Sequence, residues 1–193
     1  MAVSSGDIIR GVWGAWRLAR RDAGGMAMFD ISPDGAAKSF VAAALALPLF
    51  AVGRAISLGD SWPLLLQPAP LIITVLGFVA AWLVIPAALT WLLPRLGRSQ
   101  RLAEGIVAYN WATLLIQLAG FIAFLLAAIG LFPSQLGFLV LIVVQLACYV
   151  YEGFVLRTAL EIELPIVAGL VVFDAVASEL MSTWIAAATQ ASL

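Results

Sequence analysis

RLGRSQRLAEG, residues 95–105, leads directly into an apolar stretch from Ile106 to Leu131, a Phe132-Pro133-Ser134 break and a second apolar stretch from Leu136 to Leu156. A charged connector, Arg157 to Glu163, closes the unit. Two apolar runs of this length, joined by a tight break, read as a hairpin of membrane helices, because about twenty residues cross a hydrocarbon core about 30 Å thick. Asn110, Thr113, Gln117, Gln145 and Glu152 lie inside these runs. A bilayer offers such groups no water, so they must find partners within the protein.

Composition agrees with this reading. Of 193 residues, 64% are apolar and only 11% charged, too few charges to cover a water-soluble globule. The sequence therefore reads as an all-α polytopic membrane protein of one transmembrane domain, residues 32–193, preceded by an interfacial segment, residues 1–31. The net charge of −1 provides no basic field for nucleic acid. With no histidine and only Cys148, no zinc, haem or copper ligand set is expected, and a serine–histidine–carboxylate hydrolase is excluded. No cofactor, metal or catalytic residue is expected, and the chain does not read as an enzyme. Nine arginines to one lysine, with abundant alanine, suggest a GC-rich bacterial genome.

Five spans are expected, at about 36–56, 71–93, 103–131, 135–156 and 165–187. Ser32-Pro33-Asp34 forms the helix start before the first, with serine as cap, proline at the first turn and aspartate complementing the dipole. The loop after span 1, with two prolines and Trp62, suits an interfacial anchor. Span 2 stops at Pro94. Lysine and arginine distribute unevenly: the N-terminal segment, the second loop and the fourth loop carry nine, the first loop one (Arg54). This asymmetry predicts a cytoplasmic N-terminus and an outward C-terminus in a bacterial inner membrane.

Before the first span, Ile8, Ile9, Val12, Trp13, Trp16 and Ala19 share one helical face, and Arg10, Arg17, Arg20 and Arg21 the neighbouring one. That pattern is an interfacial amphipathic helix, its tryptophans dipping into the headgroup boundary and its guanidiniums meeting anionic lipid at about 1 kcal/mol each. A helix packed on the protein's own loops is the alternative. Gly24-Gly25 is expected to end it.

The intramembrane polar groups fall into three stripes: Asn110, Thr113 and Gln117 on span 3; Gln145, Tyr149 and Glu152 on span 4; Asp174, Ser178 and Ser182 on span 5. At 1.5 Å per residue, Gln117 lies about 20 Å, and Gln145 and Asp174 about 15 Å, into their spans. All three come near mid-bilayer, which points to a shared seam. An acid at that depth costs about 2.5–3.5 kcal/mol and is a functional candidate. Asp174 reads either as a proton or cation relay towards Glu152, or as a neutral staple joining spans 3, 4 and 5 through Gln117 and Gln145. Glu152 and Arg157, five apart, read as a structural lock with each other or with Arg98 or Arg101. Ala119, Ala123 and Ala127 form a small-residue strip for close helix approach.

The basic lead-in at 95–101, Ala-Tyr-Asn-Trp at 108–111, the break near Pro133 and the Glu152-to-Arg157 connector together resemble the Yip1-domain family over roughly residues 36–183. The resemblance implies a five-span, non-enzymatic scaffold or accessory subunit that organises membrane or binds partner proteins, itself included. A small proton-linked carrier or channel using Asp174 is the alternative function. A carrier requires a water-accessible cavity reaching Asp174, whereas a scaffold packs that carboxyl dry.

Overall fold

The computed structural model describes residues 3–191, all of whose regular elements are helical. Seven α-helices are present: α1 (Ser5–Ala19), α2 (Pro33–Ser39), α3 (Val41–Leu58), α4 (Pro68–Arg95), α5 (Leu102–Ala128), α6 (Ser134–Leu160) and α7 (Leu164–Ala191). Five continuous helical runs, the first of them Pro33–Leu66, are long and apolar enough to cross a membrane.

Helix α1 starts at a reciprocal cap. The Asp7 amide donates to the Ser4 hydroxyl at 3.2 Å, and the Ser4 amide donates to the Asp7 carboxylate at 3.0 Å. The helix ends earlier than Gly24-Gly25, at Ala19, because Arg21 takes a left-handed conformation (φ 63°) and Arg17 reaches forward to Asp22 at 2.6 Å. Gly24 and Gly25 lie instead in a 3-10 helix, Ala23–Met28, capped by Asp22. Ser32 then accepts from the Gly35 amide at 3.0 Å, with Pro33 in the first turn, as the sequence indicates.

The first crossing is interrupted at Phe40, between α2 and α3, and its far end departs from expectation. Residues Gly59–Leu66 wind into a 3-10 helix instead of an open loop, and α4 begins at Pro68. Proline at the start of α4 suits a position whose amide has no helical acceptor. Helix α4 also runs through Pro94 to Arg95, as it does through Pro86, each proline costing the helical ladder one amide. Helix α6 continues to Leu160, so the connector to α7 shrinks to residues 161–163, with Glu161 left-handed at φ 52°.

Packing is uneven along the bundle. The fully buried large side chains of the long helices, among them Ile85, Leu89, Leu93, Leu156, Leu160 and Val167, gather at the end that carries the Arg95–Arg101 loop and the α6–α7 turn. Helix α1 docks on the same end. Its Gly11 lies against Trp111, and the Tyr151 hydroxyl donates to the Ala15 carbonyl at 2.8 Å. At the opposite end Leu131, Phe138 and Leu180 are exposed, as side chains facing lipid are. Along the α5–α6 hairpin, Ala123 is buried and a β-carbon at Gly137 would meet Ala127 at 3.6 Å, so part of the small-residue strip serves helix packing.

The turns around α1 depend on ionised carboxylates. The Arg17 guanidinium, and then the Gly24 amide, hold Asp22 below the usual carboxylate range. Ser4 does the same for Asp7 and Ser32 for Asp30. A group whose folded pKa is lowered contributes stability above its unfolded value, about 3.9, and loses it as pH falls through the folded value. These turns should therefore be indifferent to pH between 5 and 8 and loosen only in stronger acid. The amide shift of Gly24 is expected to titrate with a midpoint below 3.8; a midpoint at or above it would contradict the pairing.

Candidate functional site

Above the packed end, α3 to α7 surround a cavity of about 380 Å³. All but one of the nine expected stripe residues line it: Thr113 and Gln117 from α5, Gln145, Tyr149 and Glu152 from α6, and Asp174, Ser178 and Ser182 from α7. Ser182 and Glu179 extend the polar wall along α7, while Phe50, Phe78 and Trp82 form the apolar side. Phe50 and Phe78 stack at 5.0 Å, and Phe78 and Trp82 at 5.6 Å.

Asn110, the exception, faces elsewhere. It is 0% exposed; its carbonyl accepts from the Trp82 indole at 2.9 Å and its amide donates to the Ser39 hydroxyl at 2.8 Å. Ser39 donates onward to the Ala36 carbonyl at 2.7 Å. This chain ties α2, α4 and α5 together beneath the cavity.

Glu152 is 3% exposed, and its Oε1 has no hydrogen-bond partner. The lock with Arg157, Arg98 or Arg101 does not form. Five helical residues put Glu152 and Arg157 about 140° apart, and Arg157 is exposed. Arg98 reaches Glu161 at 3.5 Å, and Arg101 pairs with Glu104 and Glu161. Glu152 instead neighbours Asp174 across the α6–α7 seam. The Tyr109 hydroxyl donates to Asp174, 3.3 Å from both carboxylate oxygens.

Two carboxyls side by side in a medium this apolar cannot both remain bare anions, since like charges there repel far more strongly than in water. Either a proton or a bound cation must offset one of the charges. Among the described residues no three His, Cys, Asp or Glu side chains gather as a metal cluster. Two carboxylates are a thin donor set for calcium, which takes six to eight oxygens. The arrangement suits a single positive charge.

Tyr109, Trp82 and the two phenylalanines are site residues that the sequence reading missed. One signal was present: Tyr109 precedes Thr113 and Gln117 at intervals of four, on one helical face.

The expected interfacial residues lie on α1 and the turn after it. Trp13 and Trp16 are 54% and 49% exposed, whereas Ala15 and Leu18 turn inward onto the bundle. Arg10 pairs with Asp7 and Arg17 with Asp22, both at 2.6 Å; Arg20 is exposed, and Arg21 lies 5.8 Å from the centre of the Phe154 ring. The helix thus packs on the protein along one face and presents tryptophan along the other.

Five apolar crossings and an internal polar cavity define a polytopic membrane protein in contact with lipid. No known family, curated protein or solved structure matches the chain.

Proposed function

We propose that the protein is a small proton-linked carrier whose central cavity takes a monovalent cation in exchange for the proton held between Glu152 and Asp174. The observation that carries this reading is the cavity itself, which reaches both carboxyls and leaves Glu152 Oε1 unpartnered. A dry staple would instead consume its acceptors within the helix seam. An arriving ammonium brings one positive charge and N–H donors; the proton leaves through the cavity, and the net charge of the occupied site, carboxylates plus ammonium, equals that of the protonated pair. Tyr109 holds Asp174 facing the cavity, and the ring faces of Phe50, Phe78 and Trp82 are suited to the apolar side of an organic cation.

The test uses proteoliposomes loaded with a pH-sensitive dye, the potential clamped with potassium and valinomycin, under an ethanolammonium gradient. Proton movement opposite to the amine is expected. Because removing a charged hydrogen-bond partner costs about 1.5–3 kcal/mol, Asp174→Asn and Glu152→Gln should each lower that flux by about ten- to a hundredfold. Equal flux from the parent and from Asp174→Asn, both eluting as folded protein, would refute the reading.

A scaffold role of the Yip1-like type is the second reading. The exposed Trp13 and Trp16 support it, since aromatic side chains on an amphipathic helix suit lipid headgroups or a partner membrane protein. The prediction of an inner-membrane location with a cytoplasmic N-terminus belongs to either reading. It rests on the nine-to-one distribution of positive charge.

A further inference from the structure

The end of the bundle that carries α1 holds another hollow. A groove of about 360 Å³ opens between the last turn of α1 and α6, walled by Leu18 and Ala19 on one side and by Leu146, Ala147, Val150 and Phe154 on the other. At 3.6 residues per turn, those α6 positions fall nearly opposite to Gln145, Tyr149 and Glu152. The groove and the central cavity therefore occupy different sides of the same helix. Leu146, Ala147 and Val150 are exposed along it. Its one hydroxyl is spent, because Tyr151 donates to the Ala15 carbonyl at 2.8 Å.

Cations stand at one end of this trough. The left-handed turn at Arg21 (φ 63°), a conformation uncommon outside glycine, folds that residue back onto α6, where its guanidinium lies 5.8 Å from the centre of the Phe154 ring. Arg157 is exposed three residues after Phe154, on the same side of α6. Neither arginine forms an ion pair among the described residues. Asp22, next to Arg21 in the chain, is engaged by Arg17 at 2.6 Å, and Glu161, one turn beyond Arg157, by Arg98 and Arg101. Depth agrees with charge. Twenty residues from Ser134, a rise of about 30 Å, cross the hydrocarbon and end at Phe154, so both guanidiniums stand at the headgroup boundary. Leu146 lies eight residues deeper, about 12 Å, within one leaflet's half of that core.

We propose that this groove binds one anionic phospholipid from the leaflet on the α1 side. Its phosphate sits between Arg21 and Arg157, and one acyl chain lies along Val150, Ala147 and Leu146. An anionic lipid is favoured over a zwitterionic one because the site offers two unpaired cations and no free carboxylate to meet a choline or an ammonium. A guanidinium presents a fork of N–H donors that matches phosphate oxygens, so the pair holds the headgroup by geometry as well as charge. The bound lipid ties α1 to α6 alongside the Tyr151–Ala15 hydrogen bond. The inference rests on neither functional reading above.

The test is native mass spectrometry of the purified full chain, released from detergent micelles doped with phosphatidylglycerol or phosphatidylcholine. The water-soluble glycerophosphoglycerol forms a third arm. One phosphatidylglycerol per chain is expected to stay bound, and neither of the others. Glycine accepts the left-handed turn, so Arg21→Gly removes the cation and keeps the backbone. Arg157→Gln removes the second cation from an exposed helical position. Each is expected to weaken phosphatidylglycerol binding by about tenfold, the loss typical of one charged hydrogen bond. Ala147→Trp, on the open face of α6, should fill the trough and abolish retention. Equal retention of phosphatidylcholine would overturn the anionic class. Equal uptake of the soluble headgroup would show that the trough holds no acyl chain, and would overturn the proposal. So would unchanged phosphatidylglycerol retention in Arg21→Gly and Arg157→Gln, or in Ala147→Trp, with the variants eluting as folded protein.

Discussion

Replacing Gly11 with alanine is expected to free α1 from the bundle. The added β-carbon would fall inside the indole of Trp111, in contact with three of its ring atoms. The ring is 4% exposed and has little room to retreat. Overfilling a packed interior costs about 1–3 kcal/mol, while alanine's better helix propensity returns at most about 1 kcal/mol. The clash therefore wins. The Tyr151 hydroxyl would lose the Ala15 carbonyl in the same event, because that bond forms only with α1 seated. Arg17, Arg20 and Arg21 should become cleavable by trypsin well below the melting temperature of the spans. Cleavage kinetics identical to those of the parent would show that the contact is not what seats the helix.

Asn110→Leu is expected to give the larger loss within the bundle. Leucine is close in volume, so the effect is that of unmade hydrogen bonds rather than of a void. The Trp82 indole N–H loses its acceptor and the Ser39 hydroxyl loses its donor, both in a region closed to water. An interhelical hydrogen bond in a membrane protein averages only about 0.6 kcal/mol, because the separated helices find other partners in the bilayer. Here one side chain joins three helices, and its orphaned partners remain buried, so a loss of about 1–3 kcal/mol is expected. Thermal denaturation in detergent measures it. The Ser39→Ala variant is the comparison, since it removes one contact and should cost less. If Asn110→Leu melts with the parent, Asn110 does not hold α2, α4 and α5 together.

The five crossings were legible because run length alone specifies them: an apolar stretch of more than twenty residues needs no knowledge of its neighbours. Their ends were less so. Nothing in the residue types announces that Arg21 turns left-handed and stops α1, or that Gly59–Leu66 keeps winding after α3. At the site, helical spacing grouped residues on α5 but did not say which neighbour each one meets. Thr113 and Gln117 open onto the cavity, as does Tyr109 one residue below Asn110, yet Asn110 itself is taken up by Trp82 and Ser39. Glu152 was misjudged for a related reason. Helix α6 runs to Leu160, which puts the acid about 12 Å from the helix end instead of near a charged loop. Tyr109 continued the Thr113 and Gln117 spacing and was readable from it, whereas nothing in the sequence pointed Trp82 of another helix at the same site.

The unequal packing of the two ends has a mechanical consequence. The central void adjoins one tightly filled end of the bundle, where Ile85, Leu89, Leu93, Leu156 and Leu160 are fully buried. Taking up or losing an occupant changes the protein's cross-section chiefly at that depth, and so does work against the lateral pressure of the surrounding acyl chains. On the carrier reading proposed above, bilayer tension and curvature would therefore enter the occupancy of the chamber alongside concentration and pH.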